Sequence, residues 1–298
     1  VTRAPDIART PVHAAVGIEL DGLDLAAPAD GDIGALRVAV DRHGFALLRG
    51  QALAPAAQMA LAEDLGEPLP SYRPQYDHPD FPDLVRIGNI RERGAPVSYL
   101  NTGGVEWHTD SPGSARPPGY TVLHCVESVI PDGGGETAFV STVTGYRALP
   151  DALKARLADM TLVHSFNTFN DRVARYDASP VPAQDGALRA RNRDSRDAIV
   201  QTHPATGERH LYLAPAMVKD IPGMDFEAGM ALVMEVVERI TRPELVYRHD
   251  WRPGDTVVFG NRGCLHTPTP YAYHDFPRTR RLLHQVIIGA RQAGARPG

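Results

Sequence analysis

The stretch Trp107-His108-Thr109-Asp110 sets an imidazole and a carboxylate two positions apart, just past Gly103-Gly104 and ahead of Pro117-Pro118. On an extended strand, positions i and i+2 project from one face, so both side chains would aim at a single point. That is two-thirds of a metal site, and also a pair that any chain with many His and Asp residues offers by chance. A third ligand type stands far downstream, at His266 in "WRPGDTVVFGNRGCLH", where a Pro-Gly-Asp turn feeds an apolar strand. Two imidazoles and one carboxylate are the inventory of a facial triad, which leaves three positions of an iron(II) ion open. Taken singly, His266 reads as a packed or surface histidine, Arg281 as a surface charge and Thr137 as a strand former. Their order along the chain is what makes them a constellation.

Other chemistries lack their signatures. The glycine run in "DGGGET" (132–137) has neither a following helix nor a lysine, so it is a turn before a strand rather than a phosphate cradle. No HExxH, GxSxG or CxxC occurs, which removes the usual zinc-protease, serine-hydrolase and thiol-redox patterns.

The elements that must position these residues are mostly short strands. "GALRVAVDRHG" and "APAAQMALAEDLG" read as amphipathic helices ended by Gly44 and Gly66, and "FEAGMALVMEVVERI" as a third, capped by Asp225. Strands are predicted at "FALLRG", "DLVRIGNI", "GYTVLHCVE", "ETAFVS", "TLVHSF", "AIVQTHP", "RHLYLAP", "ELVYRHD", "DTVVFG" and "RLLHQVIIG". Many strands and few helices favour a barrel or a double-sheet jelly roll with flanking helices over regular βαβ winding. The polar segment 167–196 has no clear periodicity and reads as a long loop, the kind that serves as an active-site lid. One domain is expected over 1–298.

Composition narrows the function. Hydrophobic residues make up 43% of the 298 and charged residues 22%, as in an ordinary globular protein. With 31 basic and 36 acidic residues the formal net charge is −5, and no basic run offers a nucleic-acid surface. No stretch is apolar enough to span a membrane, and the first residues carry no signal-peptide core. Two cysteines, Cys125 and Cys264, form no disulfide framework and read as buried thiols in a reducing cytoplasm. The expected partner is a small-molecule substrate rather than nucleic acid or membrane, and a homo-oligomer, dimer or tetramer, is compatible with the chain.

Four ordered motifs resemble the taurine dioxygenase superfamily of Fe(II)- and 2-oxoglutarate-dependent oxygenases. They are "WHTD" followed by "PPG", "PDGGGETAFVS", "WRPGDTVVFGNRGCLH" and "RRLLH". The likeness begins at "GIELDGLDL" and "HGFALLRGQ" and runs to the last strand. It implies a double-stranded β-helix core, the jelly-roll or cupin-like fold. It also implies that His108, Asp110 and His266 hold iron(II), with 2-oxoglutarate and O2 as cosubstrates. The distal carboxylate of 2-oxoglutarate would lie on Arg281, with Thr137 as hydroxyl donor. Arg280, predicted on the opposite face of its strand, is the runner-up, because the His266-to-Arg281 stretch is longer than the family pattern. The oxygen on iron does the chemistry, and no separate protein acid or base is assigned. Asp110 stands where iron halogenases have a small residue, which favours hydroxylation or a related C–H oxidation. Succinate and CO2 would be released.

For the substrate side the same likeness offers less. Sulfonate-cleaving members carry a further arginine four positions after the cosubstrate arginine, and here that position is Gln285. Alkylsulfonates are therefore disfavoured. Tyr72, Tyr99, Asn101 and Glu106 lie in segments that line the family's substrate side, although an exposed strand-edge glutamate is the simpler reading of Glu106. The rival readings are a zinc-dependent hydrolase on the same three ligands and a jelly-roll binding or sensor protein with a vestigial metal site.

Overall fold

A computed structural model describes residues 7–100, 106–112, 118–176 and 186–289. A large, mostly antiparallel sheet runs through the strands Ile18–Asp21, Phe45–Leu48, Thr256–Gly260, Pro118–Val129, Arg280–Gly289 and Phe81–Gly88, in that spatial order. A smaller antiparallel sheet holds Thr137–Ser141 between Val246–His249 and Cys264–Pro268. The two sheets form the expected jelly-roll core.

Side-chain alternation explains the layering. Phe45, Leu47, Leu123, Val257, Phe259 and Leu283 of the large sheet bury against Phe139 and Cys264 of the small one. The intervening residues Ala46, Leu48, Val122, Val258, Val286 and Ile288 point the other way, onto Leu36, Ala39, Val40, Leu61, Ala62 and Leu65. Those last residues belong to α1 (Asp32–His43) and α2 (Pro55–Leu65), which cover the outer face. Strands buried on both faces therefore read as continuous apolar runs, as "FALL" and "TVVFG" do.

The outer face of the small sheet needs its own cover. Val140 and Leu265 pack into a second core with α3 (Thr142–Ala148), α4 (Asp151–Leu157) and α7 (Phe226–Ile240). Asp225 caps α7 as expected, its carboxylate accepting from the Ala228 N–H at 3.0 Å. The sequence reading missed α3 and α4. "TVTGYRA" carries β-branched residues and a glycine, a poor helix former by propensity. One local and one tertiary feature stabilise it: Ser141 caps it by accepting from Thr144 N–H at 3.1 Å, and Gly145 lets the helix approach Ile240, 2.9 Å from where a Cβ would sit.

The segment 167–196 also departs from the expected loop. Its described parts are helical: α5 (Phe166–Tyr176) and α6 (Gly186–Arg191), followed by the strand Ser195–Ala198. Phe166 and Phe169 of α5 pack with Ala214 and Met217, and Arg189 of α6 pairs with Asp171 of α5 at 2.7 Å. Residues 177–185 lie outside the described residues.

Cys125 and Cys264 are free, buried thiols; burial pushes Cys125 up to about 12. Among the described residues no helix is long and apolar enough to cross a membrane.

Two buried histidines make stability sensitive to acid. Burial lowers His284 to about 4, aided by His78, His124 and Arg86, and its Nδ1 has no partner. Burial likewise lowers His210 to about 4, and its Nε2 is unpartnered. Both protonate in the unfolded chain near pH 6.5 but in the fold only near 4, so the unfolded state binds more protons between those values. Their contribution is fully present above about pH 6.5 and is lost as pH falls toward 4, up to roughly 3 kcal/mol each. Urea titrations from pH 7.5 to 4 should show the decline, and His284→Gln should flatten it. An identical slope in that variant would refute the assignment.

Candidate active site

Three segments bring the chemistry together. His266 lies mid-strand in Cys264–Pro268, opposite Phe139 in the register, and so faces the space between the sheets. His108 joins the edge of that strand through an isolated antiparallel bridge, its N–H donating to His266 O at 3.0 Å and its carbonyl accepting from His266 N–H at 2.9 Å. The 106–110 segment is thus one bridge followed by a turn, with Ser111 at φ 46°, rather than the regular strand expected. His108 Nε2 and His266 Nε2 each lie 3.7 Å from Asp110 Oδ1, and the three ligand atoms are all within 4.8 Å of one another.

Asn261 organises the carboxylate. Its Oδ1 accepts from the Asp110 N–H at 3.0 Å, and its Nδ2 donates to Thr121 Oγ1 at 2.9 Å. Thr121 Oγ1 in turn donates to Asp110 Oδ2 at 2.8 Å, which leaves Oδ1 turned toward the histidines. Thr109 Oγ1 donates to Asn261 O at 2.6 Å and pins the same turn. Asn261 was visible in the "GNRG" of the motif, but nothing in its residue type announced this role.

The electrostatics suit a cation. Burial raises the Asp110 pKa despite His108 and the Thr121 hydrogen bond. Burial, with His108 beside it, holds His266 well below the usual histidine range and so neutral. His108 Nδ1 lies 2.8 Å from Glu106 O, an acceptor only, so Nδ1 carries the proton and Nε2 presents its lone pair. Ligands each ~2.1 Å from one ion sit at most ~4.2 Å apart, which the 3.7 Å separations satisfy. Two imidazole nitrogens and a buried carboxylate converging on one point therefore fit a divalent metal.

A cleft, partly open to solvent, extends from this centre. Arg281, Leu283, Gln285 and Ile287 line it from one strand, and Val85 and Ile87 from the neighbouring one, each set at the two-residue spacing of a sheet face. Arg281 is only 5% exposed. Its Nε donates to Gly135 O at 3.0 Å, and its backbone N–H to Asn89 Oδ1 at 2.9 Å. Asn89 gets that close because Gly88, at φ 151°, has no side chain; a Cβ there would lie 1.7 Å from Arg281 O. Burial depresses the Arg281 pKa, and no carboxylate among the described residues pairs with it. Arg280 points to the opposite face and pairs with Glu127 at 2.5 Å.

Thr137 also lines the cleft, and its Oγ1 accepts from Trp251 Nε1 at 2.9 Å, leaving its own O–H to donate elsewhere. Tyr271 borders the same space beside Arg281, whose Cζ lies 5.9 Å from the ring centroid. Its hydroxyl is buried without a partner, and burial pushes its pKa up to about 12. The sequence reading missed Tyr271, which sits within the long stretch between His266 and Arg281.

Of the residues expected on the substrate side, Tyr72, Tyr99 and Gln285 line the cleft. Glu106 does not: it is exposed, and what it supplies to the site is the carbonyl that orients His108. Asn101 lies outside the described residues. The group Ser195, His164 and Asp197 is not a hydrolytic triad. Asp197 bridges Ser195 Oγ (2.6 Å) and His164 Nδ1 (2.9 Å), and His164 Nε2 is taken by the Ala214 N–H.

Jelly-roll fold and His-Asp-His centre together define a Fe(II)/2-oxoglutarate oxygenase. The profile of one family, described as "Taurine catabolism dioxygenase TauD, TfdA family", matches residues 8–287, and the chain belongs to that family. Pentalenolactone F synthase of Streptomyces avermitilis is 27% identical over 296 residues, covering 96% of this chain and 95% of that protein. The alpha-ketoglutarate-dependent 2,4-dichlorophenoxyacetate dioxygenase of Cupriavidus pinatubonensis is 28% identical, covering 95% and 98%. The crystal structure of a taurine dioxygenase from Burkholderia xenovorans superposes with a TM-score of 0.75 at 26% identity, covering 96% of this chain and 90% of that one. The chain is thus a 2-oxoglutarate-dependent dioxygenase that uses iron(II) and acts on a small molecule.

Proposed function

We propose that His108 Nε2, Asp110 Oδ1 and His266 Nε2 hold the iron(II), and that Arg281, Thr137 and Tyr271 hold the distal carboxylate of 2-oxoglutarate. The observation that carries this reading is a buried guanidinium lacking a carboxylate partner, in the same cleft as three converging metal-ligand atoms. When bound, the iron supplies the activation of O2 that couples decarboxylation of 2-oxoglutarate to oxidation of a substrate C–H bond. The protein's own work is to position and to exclude water. Asn261 and Thr121 fix which Asp110 oxygen faces the centre, and Glu106 O fixes the His108 tautomer. Trp251 turns the Thr137 hydroxyl proton away from itself. Phe166 and Phe169 place the first turn of α5 against the cleft, which supports a lid role for 167–196.

The substrate is a small organic molecule held among Leu123, Ile87, Phe166 and Tyr99, and similar proteins are named for 2,4-dichlorophenoxyacetate and for pentalenolactone F. Gln285 supports a substrate other than an alkylsulfonate. One domain over the chain, a cytoplasmic setting and a dimer or tetramer complete the proposal.

Succinate release from 2-oxoglutarate with Fe(II), with and without candidate acids, tests it. The expected result is succinate formation that requires Fe(II) and is lost when Zn(II) replaces it. Turnover of an ester with Zn(II) and no 2-oxoglutarate consumption would make it a hydrolase instead; ligand binding with no turnover would make it a sensor.

A further inference from the structure

A second guanidinium faces the same cleft. Arg73, in the loop after α2, is 7% exposed and lines the cavity. One terminal nitrogen donates to Asn170 Oδ1 of α5 at 2.8 Å, and the other to Tyr72 O at 3.3 Å. Its Cζ lies 5.1 Å from the Tyr99 ring centroid and 5.4 Å from that of Phe166. Aromatic faces and neutral carbonyls stabilise a cation without neutralising it. Among the described residues no carboxylate lies within ion-pair distance of Arg73. The nearby acid lining the cleft, Asp83, accepts from the Ser71 N–H at 2.7 Å instead. Two of the five guanidinium N–H donors are therefore used.

A second feature points to the same missing partner. Asn170 must turn its oxygen to Arg73, a donor only, and its Nδ2 is then left buried with no acceptor. Guanidinium and amide N–H together lack an oxyanion. With Arg281 assigned to the cosubstrate and Gln285 neutral, Arg73 is the other cationic side chain among the described residues of the cleft wall. Leu69, Val85, Ile87, Phe169, Met217 and Ile287 supply an apolar remainder.

We propose that Arg73, with Asn170, is the substrate-anion clamp of this enzyme, and that its substrate is an organic monoanion, a carboxylate or a sulfate ester on an apolar body. The clamp comes from the loop after α2 and from α5, not from the last strand. Binding the anion would tie α5 to the cleft through Asn170. The proposal rests on the oxygenase reading of this cleft.

The test is calorimetric titration of the enzyme loaded with Fe(II) and 2-oxoglutarate, without O2. The probes are phenoxyacetate, octanoate and octyl sulfate, each against its neutral counterpart, phenoxyacetamide, octanamide and octanol. At least one anion should bind about 30-fold more tightly than its counterpart, and the tightest identifies carboxylate or sulfate as the source. Arg73→Gln should weaken that anion about 100-fold and leave the neutral counterpart within about threefold, with Arg73→Lys recovering part. Anion and neutral bound equally, no anion bound, or unchanged anion binding by Arg73→Gln would each overturn the clamp. If Arg73→Gln melts early, Asn170→Ala keeps the cation and should cost about tenfold for the anion; no loss there overturns it as well. Fe(II)-dependent succinate release separates the two readings. Release without anion preference removes only the clamp, whereas Arg73-dependent anion binding without any 2-oxoglutarate consumption removes the oxygenase assignment.

Discussion

Asp110→Asn should empty the enzyme of iron(II), stop 2-oxoglutarate turnover, and leave the metal-free fold at least as stable as the parent. Loss of partners that merely orient metal ligands costs 10–100-fold in affinity, so loss of a charged ligand should exceed about 100-fold. Stability moves the other way because Asp110 is buried, and desolvation raises its pKa against the opposing pull of His108 and the Thr121 hydrogen bond. A folded pKa above the unfolded value means that protonation stabilises the fold, and that the contribution is lost as pH rises through the folded pKa. The neutral amide should therefore make the metal-free protein more stable than the parent near pH 7, and the advantage should vanish below about pH 4. His108→Ala and His266→Ala should also lose iron and turnover. Metal content after dialysis, succinate release and urea midpoints with and without Fe(II) check the set. Full turnover by any of the three variants would remove it from the metal centre.

Arg281→Gln should raise the 2-oxoglutarate requirement about 100-fold, equivalent to ~3 kcal/mol, with iron affinity unchanged. The distal carboxylate lies away from the metal, and a buried charge-assisted pair is worth several times a neutral hydrogen bond. Tyr271→Phe removes one neutral donor and should cost roughly tenfold at most. Arg280→Gln should cost little, because its guanidinium is occupied by Glu127 on the far side of the strand. Titrations of 2-oxoglutarate under saturating Fe(II) distinguish the three. A crippled Arg280→Gln beside a normal Arg281→Gln would reverse the assignment.

The ligand types of the proposed metal centre were legible before any fold. His108, Asp110 and His266 stand in motifs whose order is a one-dimensional property, and period-two alternation alone puts Arg281 and Arg280 on opposite faces. Most strands were legible too, as were α1, α2 and α7, whose apolar spacing and caps are local. What the tertiary structure decided is whatever depends on a partner distant in the chain. Residues 142–148 have weak helical propensity and form α3 with a local Ser141 cap and packing on Ile240, and α5 arises in a polar segment where Phe166 and Phe169 meet Ala214 and Met217. Glu106 is exposed, as its simpler reading had it, and lends the site a carbonyl that no residue type announces. Asn261, Tyr271 and Arg73 carried no signal in residue type, since an asparagine, a tyrosine and an arginine are ordinary surface residues until their burial is known. Burial without a hydroxyl partner gives Tyr271 its meaning, and burial without a carboxylate gives Arg73 its own; burial is a property of three-dimensional neighbours that no local pattern encodes.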